Sequence, residues 1–301
     1  MSIAAASAPQ GLDLRPVAQG LAATRAAEFR ERLGSGSAPV FVLIDPLLGD
    51  PLMSEPLPEG LSLKDLDDRR SSAWGRASHV LQLPPGVVLD SKLAPYLVEM
   101  DGRQDPWLAT TIGWAVEETL ASWATMPTEG HPHRIGGWLQ SAAFTPTLVS
   151  QLSAWLALST ETATRARYLR VADRRVWSLA VHVLGADHVA RRLAPVQSWH
   201  WLDAHAAWQH LDATMDAEVQ AADPQPLARF SRAQWSVMAQ GPAIHQHMAC
   251  EQSGRVMATH TARAAQSPRG WPPVSDAQWR AALAQANHKN TTRQDQEGIA
   301  S

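Results

Sequence analysis

Twelve histidines and a single cysteine, Cys250, are the side chains here with the most chemical potential. His131 and His133 flank Pro132 in a predicted loop. His245 and His247 lie two positions apart on a predicted helix, a spacing that sends them to different faces and does not suit one metal ion. His260 is farther along and has only Glu251 as a nearby carboxylate. No metal site and no cofactor site is therefore expected. Asp45, Asp50 and Asp90 could be acidic residues at the rim of a cleft, but aspartates at strand ends and in loops more often cap turns, and that reading is preferred. The chain has no G-x-S-x-G elbow, Walker A loop, G-x-G-x-x-G turn or H-E-x-x-H pair, and nothing nominates a triad. Cys250 reads as a small buried hydrophobe. Catalysis is the less favoured class.

Tryptophan supplies a second kind of chemistry, with 13 indoles against 4 phenylalanines and 2 tyrosines. The densest cluster is Trp199, Trp201 and Trp208, interleaved with His200, His205 and His210. Trp208 shares a predicted helix face with Ala204 and Leu211, which favours a core role, although it is kept with its neighbours among the partner-binding candidates. Trp199 and Trp201 precede that helix and are candidates for display to a partner, since buried tryptophan anchors dominate many interfaces. Arg191 and Arg192 are placed beside them as candidate contacts for acidic partner residues.

The elements that must position these groups alternate over the first part of the chain. A helix is predicted from about Leu14 to Leu33, and Val40 to Ile44 is a continuous apolar run of strand length ended by Pro46. Residues 46–77 read as a long surface excursion with one helical turn. Strands are predicted at Val80 to Leu83, Leu93 to Val98 and Ile135 to Ser141. Asp105 followed by Pro106 starts a helix to about Trp123, and Thr145 with Pro146 starts another carrying Leu148, Leu152, Trp155 and Leu156. Tyr168 to Ala172 reads as a strand that Asp173 converts into a helix by capping it. Arg170 within that strand requires a carboxylate or carbonyl partner, with Asp173 one candidate.

Beyond Gly185 the predicted elements are helical: Asp187 to Leu193, Asp203 to Gln220, Ser231 to Ala239 opened by a Ser231/Gln234 capping box, a stretch from about Ile244 to Thr259, and a short helix from Ser275 to Ala286. The fold class expected is α/β or α+β, a mixed sheet with packed helices followed by an all-helical C-terminal lobe. The divisions are a disordered segment over 1–12, an α/β lobe over 13–185, a helical lobe over 186–265, and a polar, largely flexible tail over 266–301. A hydrophobic fraction of 45%, a charged fraction of 18% and a net charge of −3 fit a globular protein and give no sign of nucleic-acid or anionic-membrane binding. The N-terminus lacks a basic region followed by an apolar core, and no run approaches the length of a membrane span, so a cytoplasmic location is expected.

The stretch LRVADRRV, residues 169–176, resembles the most recognisable segment of a bacterial family, domain of unknown function 4123, whose members are adaptor chaperones of the type VI secretion system. That segment runs phenylalanine, arginine, phenylalanine, tyrosine, aspartate, proline, arginine, valine. Arg170, Asp173, Arg175 and Val176 match it; Ala172 stands where the family has an aromatic and Arg174 where it has proline. VFVLIDP at 40–46 is similar to the family's opening strand with its terminal aspartate, and LAPYLVE, GGWLQS and the helix after it follow in the family's order. The resemblance spans about residues 39–250.

The resemblance implies a non-enzymatic adaptor that binds a toxic effector protein, stabilises it and loads it onto the valine-glycine repeat (VgrG) spike. In that reading Arg170, Asp173 and Arg175 are structural, holding the strand-to-helix junction, and the C-terminal part supplies effector-specific surface. The alternatives are a cytoplasmic hydrolase with a metal or an unrecognised triad, and an immunity protein.

Overall fold

The computed structural model describes residues 15–33, 38–53, 57–124, 132–160, 167–214, 227, 229–249 and 274–285. Its centre is an antiparallel sheet of six strands in the order β2-β3-β1-β4-β7-β8. These are β1 (Val40–Ile44), β2 (Ser78–Val80), β3 (Tyr96–Met100), β4 (Ile135–Gln140), β7 (Ser198–Leu202) and β8 (Trp208–Asp212). A small second sheet joins β5 (Ala157–Thr160) to β6 (Arg167–Tyr168) and, in parallel, to β9 (Arg229–Phe230).

Both faces of the large sheet are covered, which is why its central strand is apolar at every position. Val40, Val42 and Ile44 point into one core with α1 (Arg15–Arg32), α2 (Leu63–Trp74) and α3 (Pro106–Ala124). Phe41 and Leu43 point into the other, with α4 (Thr145–Trp155), α5 (Arg174–Leu184) and α7 (Arg232–Ala239). The period of two along the strand thus sorts its side chains between two helical layers. Leu108, Ile112, Ala115, Val116 and Leu120 of α3, and Leu148, Leu152, Trp155 and Leu156 in and after α4, are all buried as their spacing predicts.

Several expectations are corrected. The excursion over 46–77 contains the twelve-residue helix α2, started by a Ser62/Asp65 capping box. This helix closes the sheet edge: the Ser78 amide donates to Ser71 Oγ at 2.9 Å and the Val80 amide to Asp67 Oδ1 at 2.6 Å. Thr145 is the first residue of α4 and makes no cap; the N-cap position belongs to Phe144, without a side-chain hydrogen bond. The strand expected up to Ala172 ends at Tyr168, and residues 169–173 form a turn.

The largest correction concerns residues 198–212. Where the sequence predicts a helix from Asp203 to Gln220, the chain instead makes the turn and second strand of the hairpin β7–β8, with 215–220 outside the described residues, so within the described residues the part after 185 is not an all-helical lobe; it contributes two strands to the large sheet. Asp203 acts as a turn residue, its Oδ1 accepting from the His205 amide at 2.8 Å and the Ala207 amide at 3.0 Å. Ala206 takes a left-handed φ of 52°, and its carbonyl accepts from Arg25 Nε at 2.6 Å. Pairing of β8 with β7, which is itself paired with β4, and burial of Trp208 outweigh the helix propensity of the alanines, which is worth at most a few tenths of a kcal/mol per residue.

Helices over 186–190 (α6) and 232–239 (α7) follow the sequence reading, the latter with the Ser231/Gln234 capping box in place. Two further helices cover 241–249 (α8) and 276–285 (α9). Helix α9 matches the short helix expected from Ser275 to Ala286 inside the polar tail, and Trp279 and Ala282 are buried in the second core, with Trp279 stacked on His182 at 4.8 Å. Cys250, the end of the expected helix over 250–259, the tail outside 274–285, His131, His260 and the segment 1–12 lie outside the described residues.

Gly136 and Gly137 allow β4 to be approached on both sides. A Cβ on Gly136 would lie 2.5 Å from the Ala172 carbonyl oxygen, and one on Gly137 would lie 2.5 Å from Trp199 Nε1. Gly137 also has a φ of 146°. Gly136→Ala is therefore expected to destabilise the fold by about 2–4 kcal/mol, because backbone must move to admit the methyl group. Gly113→Ala in α3, where nothing lies within 4 Å, is expected to stabilise by about 0.5–1 kcal/mol. Urea unfolding midpoints of the two variants check both signs.

Candidate functional site

The turn over 169–173 is the junction between the two cores. Arg170 reaches across it and donates from Nε to Asp45 Oδ2 at 2.5 Å, while Nη1 lies 3.3 Å from Asp173 Oδ2. Asp45 sits at the end of β1 and also accepts from the Leu47 amide, as expected of a turn-capping aspartate. Asp50 and Asp90 likewise cap turns, through the Leu52 and Lys92 amides. Asp173 caps α5 by accepting from the Arg175 amide at 3.0 Å, and the Arg175 guanidinium returns to it through Nε at 3.0 Å and Nη2 at 2.6 Å. The Arg170, Asp173 and Arg175 set singled out from the sequence is thus one network, with Asp45 as its fourth member.

Arg174 turns the opposite way and is 2% exposed. Its Nη1 donates to Glu118 Oε2 at 2.9 Å and to the Ile135 carbonyl at 3.1 Å; its Nη2 donates to the Ala115 carbonyl at 2.7 Å and Thr119 Oγ1 at 2.8 Å. Arg134 donates to the other Glu118 oxygen at 2.9 Å. Neither Arg174 nor Glu118 was nominated from the sequence. The signal available was a pair of arginines at the start of a helix that is otherwise apolar on its inner face; one of the two has to be buried.

Between α5 and α8 the network opens onto a cavity of about 680 Å³. Arg170, Asp173, Arg174, Arg175, His133 and His245 supply its polar side, and Leu179, Met238, Pro242, Met248 and Trp279 its apolar side. Asp203 also borders it but is occupied by the His205, Ala207 and Val274 amides and by Gln209 Nε2. His133 and His245 were weighed in the sequence as metal ligands. The structure places both on this cavity, and among the described residues no group of three or more His, Cys, Asp or Glu side chains is arranged to hold an ion.

Burial and charge set the protonation states. Burial pushes the Asp45 carboxyl up to about 6, against the pull of the Arg170 guanidinium. For Asp173 burial acts in the same direction, but the hydrogen bonds and charge of Arg175, with Arg170 behind, outweigh it and hold the group below the ordinary aspartate value. Burial, with Arg175 beside it, lowers His245 to about 4; burial, with Arg174 and Arg175, carries His133 well below its usual value. Both imidazoles are neutral near pH 7.

The candidate partner-binding residues fare differently. Trp199, Trp201 and Trp208 are buried, at 0%, 4% and 6% exposure, and are not a display surface. Trp199 stacks on Trp177 at 3.9 Å and on Trp155 at 6.0 Å, and Trp201 donates to Ser178 Oγ at 2.7 Å. Trp208 lies on the other sheet face, stacked on Phe29 at 5.0 Å and donating to the Arg25 carbonyl at 3.1 Å. Arg191 and Arg192 are exposed, and Arg192 contacts the His188 ring. Among the described residues the large exposed apolar side chains are Phe144, at the start of α4, and Val88, in the loop after β2, with Leu48 and Leu63.

No helix among the described residues is long and apolar enough to cross a membrane. Comparison of the chain with known protein families, with characterised proteins and with solved structures finds no match in any of the three.

Removing Arg174 leaves Glu118 buried with only the partly exposed Arg134, so Arg174→Ala is expected to cost about 3–5 kcal/mol. Arg175→Ala loses a partly exposed contact to an aspartate that keeps its backbone donor, and about 1–2 kcal/mol is expected. Chemical denaturation separates the two. The histidines give a signed pH effect. Their folded values lie below the unfolded value near 6.5, so the unfolded chain takes up protons first and stability falls as pH drops from 7 towards 4. Asp45 opposes this, since its raised value makes the folded state the stronger proton acceptor between about 6 and 3.8. His245→Leu is expected to flatten the loss of thermal midpoint between pH 7 and 5, and Asp45→Asn to steepen it.

Proposed function

We propose that this chain is a non-enzymatic adaptor that binds a type VI secretion effector, shields an aggregation-prone part of it and delivers it to the VgrG spike in the cytoplasm. The observation that carries this reading is the Arg170–Asp45 ion pair. Two segments that resemble the adaptor family separately, VFVLIDP at 40–46 and LRVADRRV at 169–176, meet at the residues that match the family pattern. Asp173 and Arg175, the other matching charged residues, complete the same network. A family whose recognisable residues are structural would have to retain such a set together, because one member left unpaired in the interior costs several kcal/mol.

With the tryptophan cluster in the core, the effector-binding surface is assigned to the side chains that remain outside. Phe144 is 76% exposed and Val88 fully so. Phe144 leads into α4, and Val88 follows Pro84 and Pro85; between those prolines and α4 runs a groove also lined by Pro146 and Val149. Exposed apolar side chains and a groove of this kind suit a hydrophobic effector segment. Arg191 and Arg192 supply positive charge elsewhere on the surface.

Tagged protein purified from its native bacterium, or co-expressed with the products of neighbouring genes, provides the test. The expected result is a large toxin-like protein, with or without a spike trimer, retained through a sizing column and insoluble when expressed alone. Phe144→Asp is expected to reduce its recovery at least tenfold without lowering the urea midpoint of the adaptor, since Asp is a favoured residue at this N-cap position. Elution of the protein alone, with bound metal or with turnover of a substrate, overturns the adaptor reading.

A further inference from the structure

The cavity between α5 and α8 has an unusual polar balance. Its carboxylates are spent: Asp173 receives the amide, Nε and Nη2 of Arg175 and faces Arg170, and Asp203 receives three backbone amides and Gln209. Arg174 is spent too, with four acceptors. The polar atoms left over are of another kind. Arg170 Nη2 and His133 Nδ1 are buried without a hydrogen-bond partner, and the ring nitrogens of His245 are buried with only the Arg175 backbone nearby. His133 as a whole is only 4% exposed and lines the cavity. Leaving such groups bare costs about 1–3 kcal/mol each, and more for a cation. A buried guanidinium N–H lacking an acceptor is the clearest of them, since arginine can only donate.

The remaining wall is apolar, formed by Leu179, Leu202, Met238, Pro242, Met248 and Trp279. A volume of about 680 Å³ falls in the range of roughly 300–1,000 Å³ usual for small-molecule sites. The charges present balance, three arginines (Arg170, Arg174 and Arg175) against three carboxylates (Asp45, Asp173 and Glu118), so an anion is held here by unpartnered hydrogen-bond donors and not by surplus charge. That penalises a multiply charged anion such as a phosphate far more than a single negative charge, which, attached to an apolar body, matches both halves of the cavity.

We propose that this cavity binds a small apolar monocarboxylate, its carboxylate accepting from Arg170 Nη2 and from the imidazoles of His133 and His245, and its hydrocarbon or aromatic body lying against Leu179, Met238 and Trp279. Each neutral imidazole has one N–H, so His133 and His245 can donate without taking up a proton. The site is independent of the adaptor reading and stands or falls separately from it.

The test is calorimetric titration of the full chain at pH 7 with octanoate and 3-phenylpropionate, each against its uncharged alcohol, octan-1-ol and 3-phenylpropan-1-ol. At least one acid is expected to bind at one site per chain, ten times or more tighter than its alcohol. Ala243→Trp, which places an indole into the lining of the cavity, is expected to abolish that binding while keeping a cooperative urea transition. His245→Leu is expected to weaken the acid at least tenfold and leave the alcohol unchanged. Equal affinity for acid and alcohol, absence of binding by either acid, or unaltered binding in folded Ala243→Trp overturns the proposal.

Discussion

A guanidinium taken out of water has to find carboxylates and carbonyls, and in this protein that requirement joins parts of the chain that nothing else brings together. Arg174 is held by α3 through Glu118, Ala115 and Thr119 and by β4 through the Ile135 carbonyl. Arg170 is held by the end of β1 through Asp45. The two arginines flank Asp173, which caps α5, so the first turn of that helix is tied at once to the central strand, its neighbour and the helical layer on the far side of the sheet. These contacts are directional in a way that apolar packing is not, and a shifted register would leave buried charges bare.

The sheet works within that frame as a partition. Its strands send alternate residues into two separate cores, and the tryptophans divide with them: Trp155, Trp177, Trp199 and Trp201 on one side, Trp74, Trp138 and Trp208 on the other. Indoles stacked as closely as Trp177 on Trp199 need a flat neighbour that gives way, and Gly137 provides it by lacking a Cβ beneath the Trp199 ring. On the other side of β4's first residues, Gly136 lets the Ala172 carbonyl come close, which brings the turn carrying Arg170 and Asp173 against the strand. The GGW of β4 is therefore as much a part of the junction as the charged residues are.

The polar and apolar sides of the α5–α8 cavity follow from the same arrangement. Asp173 must spend its oxygens on α5 and Arg175, and Arg174 must face inward, so what remains for the cavity is the back of Arg170, two neutral imidazoles and the apolar side chains of α7, α8 and α9. Neither Met238 nor Trp279 is near the motif in sequence. Both reach it because the C-terminal helices fold back over α5, with Val274 anchored on Asp203.

Local chemistry was legible in the sequence wherever it was decided locally. The Asp105–Pro106 start of α3, the Ser231/Gln234 capping box of α7, the apolar run of β1 and the Asp173 cap of α5 are each fixed by residues within one turn of each other. The need of Arg170 for a partner was also legible, because desolvation of a charge is a property of the residue itself. Tertiary structure decided the rest. The stretch after Asp203 carries alanines at helical spacing, and it becomes a strand only by pairing with β7, which is itself held on the edge of β4 more than fifty residues upstream. The same pairing carries Trp199, Trp201 and Trp208 from candidate surface to core. Which of two adjacent arginines is buried depended on where Glu118 stands, and a distant carboxylate leaves no trace in the local pattern.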